Sequence, residues 1–520
     1  MAGRGDGGLD SLSGAALLLP GGEAEFATEG GGRGKGGRGR WCTRTCMVGA
    51  AGNFSIQYNI AVLSVAVAFM TAVDGKAADD DTGSAYPEPA WAKNSLLGTV
   101  FAGILTGLLT MGYVADAVGR RAGLLITNTL VVVGALATAL ASWGSASSVY
   151  TVVAVARFVV GFGVGGIYPT AFATVAEGEH GSGGHSGVRD EEARRAASKA
   201  VGGAYLWQMP GAMAPYAVAW ALLALPASTV ALVSTQFRVL VAIGVVPVAL
   251  VLWEAWHTPP PPASAAPRQN PLAVVRATPQ YLRRLIGTAG AWMLYDAGYY
   301  GTAIEIPNIL TLIFGSGNTL ADTCWQSLVV AGFGIPGTLL ALWPLRKYGA
   351  RWLNIWGFVV LAAAFAALAI AYYASPEGAK GVKFTLLCFI SLALSWGPSV
   401  GVHVLATMLY PPEVRGTFIS LSSMGGKLGG LIGTFIFEPI QSAAGLPAVL
   451  WVQVAFSIIG CILSITCLPS DAPGVPLQVD LGRDEDADRD AALLLAPGTP
   501  GGREWATTDS ETASINSMHL

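Results

Sequence analysis

The stretch Gly290–Glu305 reads GAWMLYDAGYYGTAIE and places one aspartate, Asp296, in the middle of a long apolar segment. On a helix that turns by about 100° per residue, Trp292, Asp296 and Tyr300 lie on one face. If this segment crosses a membrane, an ionised Asp296 inside the hydrocarbon costs at least ~2.5–3.5 kcal/mol. The sequence therefore predicts that Asp296 faces a bundle interior or a water-filled cavity that the rest of the chain builds.

The composition of the chain indicates a protein that crosses the bilayer many times. Of 520 residues, 52% are hydrophobic and 12% are charged, and the mean hydropathy is +0.52. Soluble globular proteins carry about 25% charged residues.

The six cysteines show no paired framework or zinc-ligand spacing. The sequence has no nucleophile–base set, metal-ligand cluster or phosphate-binding loop. We therefore expect that the protein is not an enzyme, needs no cofactor, binds no nucleic acid and does not use ATP to drive transport.

Twelve apolar segments follow one another along the chain, and each is long enough to span a bilayer as a helix. The predicted spans are approximately 47–72, 95–115, 122–143, 150–175, 200–223, 236–254, 285–305, 324–345, 352–374, 384–404, 418–440 and 447–468. We therefore predict an all-α membrane protein with twelve transmembrane helices in two six-helix, pseudo-symmetric domains, 47–254 and 285–468. A Pro-rich cytosolic linker, 255–284, separates these domains. Residues 1–46 and 469–520 are expected to be disordered tails, the first basic and the second acidic.

The distribution of basic residues predicts the orientation in the membrane. Most of the 30 lysines and arginines lie in the N-terminal stretch and in the loops on the same side of the membrane. The loops on the opposite side contain Lys76, Lys93, Lys380 and Lys383. By the positive-inside rule both tails are cytosolic. The expected location is the plasma membrane.

A short basic turn occurs at equivalent places in the two halves. Gly112–Arg121 (GYVADAVGRR) follows the second segment, and Lys347–Arg351 (KYGAR) follows the eighth. In the first turn, Asp116 can cap a helix N-terminus, and Arg120 and Arg121 are expected to face the cytosol. Two six-helix halves that repeat such a turn are typical of secondary transporters.

The first of these turns, Gly112-x3-Asp116-x2-Gly119-Arg120-Arg121, resembles the loop signature of the major facilitator superfamily; the second lacks its aspartate and has Arg346. A second signature of that superfamily is similar to Arg157-x3-Gly161-x-Gly163-x-Gly165, whose glycines would allow helices to approach closely. Within the superfamily, residues from about 50 to 440 resemble the phosphate:proton symporters of the plant and fungal type. The resemblance implies a site between the halves near the bilayer midplane, inorganic phosphate or a related anion as substrate, and a proton or another cation as coupling ion.

The resemblance also implies roles for individual residues. The matching motifs are Trp292-x3-Asp296-x3-Tyr300, Gly165–Pro169 followed by Glu177, Gln208, Trp396–Ser399, Tyr410–Thr417 and Gly425–Gly429. The implied substrate-binding residues are Tyr168, Gln208, Trp292, Asp296, Tyr300, Ser399 and Lys427. Asp296 is also the implied proton-coupling group. Structural or gating roles are implied for Asp116, Arg120, Arg121, Arg157, Glu177 and Arg415.

Several acids of the family pattern are missing from this chain. Ile167 stands where the family has an aspartate, and Phe54–Asn59 (FSIQYN) stands where it has a stretch with two. Ser399 replaces an asparagine, and Met408 replaces a glutamate. Asp296 is thus the one carboxylate left deep in the predicted cavity, and the coupling ion is open between a proton and another cation.

Each of these positions also has a purely structural interpretation. Asp296 could pair with Lys427 or Arg157, Gln208 could bridge helices, and the aromatic residues could be core. The glycines around Lys427 have GxxxG spacing and are expected to serve packing. His403 is expected near a membrane end, where it would reach the interface. Two other functions stay open: a porter of another solute, such as an organic anion or a sugar, and a nutrient receptor that does not transport.

Overall fold

A computed structural model of the chain describes residues 35–73, 76–77, 86–89, 91–179, 203–225, 230–257, 271–315, 319–376, 378–410 and 414–471. Nearly all of these residues are α-helical, and a two-stranded antiparallel ribbon pairs Ala72–Val73 with Lys76–Ala77. The helices are α1 (Lys35–Thr71), α2 (Ala92–Val118), α3 (Arg120–Leu140), α4 (Ala146–Glu179), α5 (Gln208–Leu222), α6 (Val230–Ile243), α7 (Val245–His257), α8 (Pro271–Ala277), α9 (Gln280–Phe314), α10 (Leu320–Gly332), α11 (Gly334–Tyr348), α12 (Ala350–Ala374), α13 (Lys380–Trp396), α14 (Pro398–Met408) and α15 (Arg415–Cys467). The predicted all-α fold class is confirmed.

Eight stretches of the described helices are long and apolar enough to cross a membrane. They are Met47–Thr71, Arg121–Leu140, Ala146–Ile167, Ser234–His257, Leu320–Tyr348, Ala350–Ala374, Lys380–Met408 and Pro439–Cys467. Two shorter apolar stretches, Gly98–Met111 and Glu305–Phe314, lie within α2 and α9. The chain is therefore a multi-span membrane protein, as its composition predicts. The number of twelve spans stays a prediction.

The helices extend beyond the hydrophobic segments, both in the predicted N-terminal tail and in the predicted linker. Helix α1 begins at Lys35, inside the N-terminal stretch that was expected to be disordered. In the predicted linker, α7 continues to His257, α8 covers Pro271–Ala277 and α9 begins at Gln280. Hydropathy marks the part of a helix that lies in hydrocarbon, whereas each added residue can extend the backbone hydrogen bonding into polar surroundings. The domain boundaries at residues 46 and 284 stay predictions, and the first described apolar span begins at Met47.

A glycine separates the last two predicted segments. Gly445 lies inside the long stretch Arg415–Cys467 with φ 77° and ψ 169°, which interrupts the helical geometry. Glycine adopts this left-handed region at little steric cost. The break falls between the predicted segments 418–440 and 447–468 and agrees with their boundary.

Glycines bring α9 and α15 into backbone contact. A Cβ added at Gly429 would lie 1.9 Å from the carbonyl oxygen of Met293, and one at Gly433 would lie 2.3 Å from that of Ala297. Any side chain at these positions would force the two helices apart. The packing role expected from the GxxxG spacing is confirmed.

The glycines after Arg157 act in the same way in the N-terminal half. A Cβ at Gly161 would lie 2.2 Å from the carbonyl oxygen of Val100 in α2, and one at Gly163 would lie 2.6 Å from that of Thr127 in α3. Helix α4 is thereby held closely against two neighbours, as expected from the sequence.

The repeated basic turn makes the same contact in both halves. Arg121, at the start of α3, donates a hydrogen bond to the carbonyl oxygen of Ala255 at the end of α7 (2.9 Å). Arg351, at the start of α12, donates to the carbonyl oxygen of Ile465 at the end of α15 (2.9 Å). Each cation thus binds the negative end of the last helix of its half. An internal repeat predicts this equivalence.

The C-terminal half has an additional cap beside this turn. The Asp471 carboxylate accepts hydrogen bonds from the backbone N–H groups of Ala350 (2.6 Å) and Arg351 (3.0 Å). Burial raises the pKa of the Asp471 carboxyl, and these N–H groups oppose the rise. Residues 469–471, predicted as the start of a disordered tail, are therefore held against the N-terminus of α12.

Candidate functional site

A buried ion pair joins α9 to α15. Nζ of Lys427 lies 2.9 Å from Oδ2 of Asp296, and the two side chains are 2% and 4% exposed. Lys427 also donates a hydrogen bond to the hydroxyl of Tyr300 (2.8 Å). Asp296 and Tyr300 are one helical turn apart, so they share the face that was predicted from their spacing. Among the described residues, Asp296 is the most deeply buried carboxylate.

Trp292 lies one turn before Asp296 and packs directly on α15. A Cβ added at Gly426 would lie 2.3 Å from Cδ1 of the indole, so the absence of a side chain there makes room for the ring. The Trp292 ring also contacts the ring of His403, with 4.3 Å between their centroids. Trp292 is therefore both a core residue and a wall of the ion-pair region.

His403 belongs to this region, which corrects the expectation that it reaches the membrane interface. Its side chain is 4% exposed and packs between Trp292 and Tyr205, whose ring centroid is 4.4 Å away. Its Nδ1 lies 2.6 Å from the carbonyl oxygen of Ser399. The tenth segment breaks at Gly397, immediately before α14, and this second helix carries His403 into the interior. Its spacing of four residues from Ser399 was a signal that could have placed it in the site.

Tyr300 connects the ion pair to the N-terminal half. Gln57 of α1 donates a hydrogen bond to the Tyr300 hydroxyl (3.3 Å). Phe101 of α2 packs edge-on against the Tyr300 ring at 5.3 Å. The Tyr300 hydroxyl thus links Lys427 with a buried amide from the opposite half. Sequence reasoning did not assign a role to Gln57, although a glutamine in an apolar segment suggests one.

A second contact between the halves joins Ser395 to Met209, and Gln208 and Ser399 lie beside these two residues in the chain or in a hydrogen bond. The side chains of Gln208 and Ser399 are buried, and Gln208 is the first residue of α5. The Ser399 hydroxyl donates to the carbonyl oxygen of Ser395 (2.7 Å), and the Ser395 hydroxyl donates to the sulfur of Met209 (3.1 Å). The Ser399 hydroxyl is thus bonded to a backbone carbonyl group one turn earlier in the chain.

A cavity with an empty volume of about 710 Å³ lies beside Tyr300, between the two halves. Gln57 of α1, Met209 of α5, Tyr299 and Tyr300 of α9, and Ser395 of α13 line it, together with mainly apolar side chains. The lining residues of α1 and α9 lie in the C-terminal halves of these helices, whereas Met209 is the second residue of α5. Tyr300 touches both this cavity and Lys427.

Arg157 is a second buried cation and lies apart from the ion pair. It is 0% exposed, and its Nη1 donates a hydrogen bond to the carbonyl oxygen of Asn59 in α1 (3.1 Å). Its Nε and Nη2 have no hydrogen-bond partner among the described residues. Of the two pairings considered for Asp296, the structure has the one with Lys427.

Arg415 has a structural position at the start of α15. It is buried, and its Nε donates to the carbonyl oxygen of Tyr410 (3.3 Å). The Tyr410 hydroxyl in turn lies 2.8 Å from that of Thr288 in α9. The side chains of Asp116, Arg120, Tyr168 and Glu177 lie outside the part of the chain that the structure describes.

A helical membrane fold with repeated basic turns, and with a cavity between its halves beside a buried ion pair, defines a secondary transporter. The chain belongs to the sugar (and other) transporter family, whose model matches residues 45–180 and 288–472. These two regions include both basic turns, Arg157 and the ion pair.

Curated relatives include two inorganic phosphate transporters. The chain is 33% identical over 394 residues to inorganic phosphate transporter PT2 of Toxoplasma gondii, a match that covers 76% of this chain and 66% of that protein. It is 24% identical over 480 residues to low affinity inorganic phosphate transporter 1 of Petunia hybrida, with coverage of 80% and 88%. The first match thus spans slightly less than two thirds of the relative's length.

Solved structures agree with the fold. The proton:xylose symporter of the major facilitator superfamily, solved with 6-bromo-6-deoxy-D-glucose, superposes with a TM-score of 0.67 at 17% identity. The superposition covers 84% of this chain and 97% of the symporter. The predicted major facilitator fold is confirmed.

Proposed function

We propose that this protein takes up inorganic phosphate by secondary active transport, driven by a proton that Asp296 carries. The observation that carries the proposal is the buried ammonium of Lys427, which Tyr300 connects to the cavity between the halves. A buried cation requires a negative partner, and a transported anion can take the place of Asp296. The names of the Toxoplasma and Petunia relatives support phosphate as that anion.

Protonation of Asp296 couples the binding of the proton to the binding of phosphate. While Asp296 is ionised, it holds Lys427 at 2.9 Å and repels an anion. A proton on Asp296 weakens this pair, so Lys427 becomes available to phosphate. Hydrogen bonds to the phosphate oxygens would come from Tyr168, Gln208, Trp292, Tyr300 and Ser399.

The transport cycle is alternating access between the two halves. Phosphate enters the cavity beside Tyr300 from the outside, and the contacts of Gln57 with Tyr300 and of Ser395 with Met209 rearrange as the halves rock. Both tails lie in the cytosol, and the protein acts in the plasma membrane. Asp116, Arg120, Arg121, Arg157, Glu177 and Arg415 have structural or gating roles in these movements.

A porter of a larger solute is a second candidate. The cavity beside Tyr300 is lined mainly by apolar side chains, which suit a partly apolar solute better than a small, highly charged anion. The family description, sugar (and other) transporter, includes such solutes.

Purified protein in liposomes distinguishes these functions. We expect an inward proton gradient to drive accumulation of labelled phosphate, which unlabelled phosphate and arsenate block and xylose does not. Uptake that xylose or an organic anion blocks while phosphate does not would favour the second candidate. Saturable phosphate binding with zero flux would contradict transport itself and indicate a receptor.

A further inference from the structure

A second cavity lies inside the C-terminal half, between α9, α12, α13 and α15. Its empty volume is about 370 Å³, and its polar lining includes Thr302, Glu305, Gln441 and Gln453. Thr302 also lines the larger cavity beside Tyr300. The two spaces are therefore neighbours on either side of α9.

Gln453 presents a buried oxygen without a donor. The residue is 2% exposed, and its Nε2 donates to the carbonyl oxygen of Gly298 and to the Thr302 hydroxyl, both at 3.3 Å. These two bonds fix the orientation of the amide, and its Oε1 has no hydrogen-bond partner in the described part of the chain. A Cβ at Gly298 would lie 2.8 Å from that oxygen, so glycine keeps the space beside it open. A buried acceptor in this position is completed by a water or a cation.

Glu305 supplies a negative charge to the lining of the same cavity. It follows Thr302 by three residues on α9, so the two side chains are neighbours on the helix surface. Asn308 donates to one carboxylate oxygen of Glu305 (2.6 Å). Pro307, inside the same helix, has no N–H to give to the carbonyl oxygen of Ala303. One turn of α9 thus offers carboxylate, hydroxyl and carbonyl oxygens.

The donor set selects a hard monovalent cation. All the polar groups named offer oxygen atoms as ligands, and oxygen ligands suit alkali and alkaline-earth ions better than transition metals. In the described lining, Glu305 is the one charged residue, and the α12 and α13 walls are apolar side chains such as Phe365 and Leu387. One positive charge neutralises Glu305, whereas a divalent ion would leave net charge in a poorly hydrated space.

We propose that this cavity is a sodium site formed by Thr302, Glu305, Gln441 and Gln453. Bound sodium holds the turn of α9 that carries Thr302, and Tyr300 of the same turn contacts Lys427. Sodium and the transported anion therefore strengthen each other's binding, and linkage makes this effect reciprocal. The effect on the anion rests on the proposed function, but sodium binding by itself does not.

Sodium binding can be measured without phosphate on the purified full-length protein. We expect saturable binding of radioactive sodium, and a rise in Tm when sodium chloride replaces choline chloride at constant ionic strength. Glu305→Gln and Gly298→Ala should each weaken sodium binding by at least about tenfold. Asp322→Asn changes a carboxylate at the N-terminus of α10, outside this cavity, and should leave sodium binding unchanged.

Three results would refute the proposed sodium site. They are the absence of saturable sodium binding in the wild type, wild-type affinity for sodium in Glu305→Gln, and a Glu305-dependent rise in Tm with acid but not with sodium. The last result would mean that the cavity holds a proton. If sodium binds as expected and phosphate transport fails, the proposed function is wrong and the sodium site stands.

Discussion

Removal of the Lys427 ammonium tests the centre of the proposed mechanism. In Lys427→Ala, Asp296 stays buried without the cation that lies 2.9 Å away in the wild type. Loss of one partner of a buried ion pair costs about 3–5 kcal/mol, because the other charge is left uncompensated. We therefore expect a large fall in Tm together with loss of phosphate binding. The stability loss should be largest where Asp296 is ionised and should shrink in acid, where the carboxyl is neutral.

A double variant separates stability from binding. Lys427→Ala with Asp296→Asn leaves no uncompensated charge at the pair, so it should recover most of the lost stability and still fail to bind phosphate. Lys383→Ala is a matched control. Lys383 is also buried, but it lies near the N-terminus of α13 and donates to the carbonyl oxygen of Pro376 (2.7 Å). The Lys383→Ala variant should retain phosphate binding. Uptake in Lys427→Ala at the wild-type rate would remove Lys427 from the substrate site and refute this reasoning.

Three further predictions follow from the same structure. Asp296→Asn keeps the size of the side chain and removes the charge that competes for Lys427. Phosphate exchange should therefore persist, whereas accumulation driven by a pH gradient should disappear; uphill uptake in this variant would place the proton site elsewhere. Gly429→Ala puts a Cβ 1.9 Å from the carbonyl oxygen of Met293 and should lower the unfolding free energy by about 1–3 kcal/mol in thermal melts, whereas Gly381→Ala, with nothing within 4 Å of the new atom, should not. Cysteines introduced in residues 1–40 should resist an impermeant label added outside intact cells, and rapid labelling there would reverse the predicted topology.

The parts of the site that follow helix periodicity could be predicted from the sequence. Asp296 and Tyr300 face one partner because they are one turn apart, and glycines four residues apart form a contact surface whatever lies opposite. These are properties of a single helix, so no knowledge of its neighbours is needed.

Contacts between helices could not be predicted in the same way. Gln57 meets Tyr300, and His403 packs between Tyr205 and Trp292. Each contact joins residues far apart in the chain, and its existence depends on how the helices cross. Hydropathy also failed at the ends of helices, since α1 and α9 continue through stretches that are not apolar.

In the proposed mechanism, the loss of acids elsewhere in the chain concentrates coupling at the Asp296–Lys427 pair. Asn59, where the family pattern has an aspartate, offers Arg157 a backbone carbonyl and no negative charge. Arg157 cannot exchange a carboxylate for a substrate anion, because no carboxylate of the described residues is its partner. Lys427 can, since Asp296 already occupies the place that an anion would take. Because an unpaired buried carboxylate is costly, an anion that displaces Asp296 also favours its protonation, and a proton that arrives first favours the anion. One ion pair can therefore couple the two ligands in both directions.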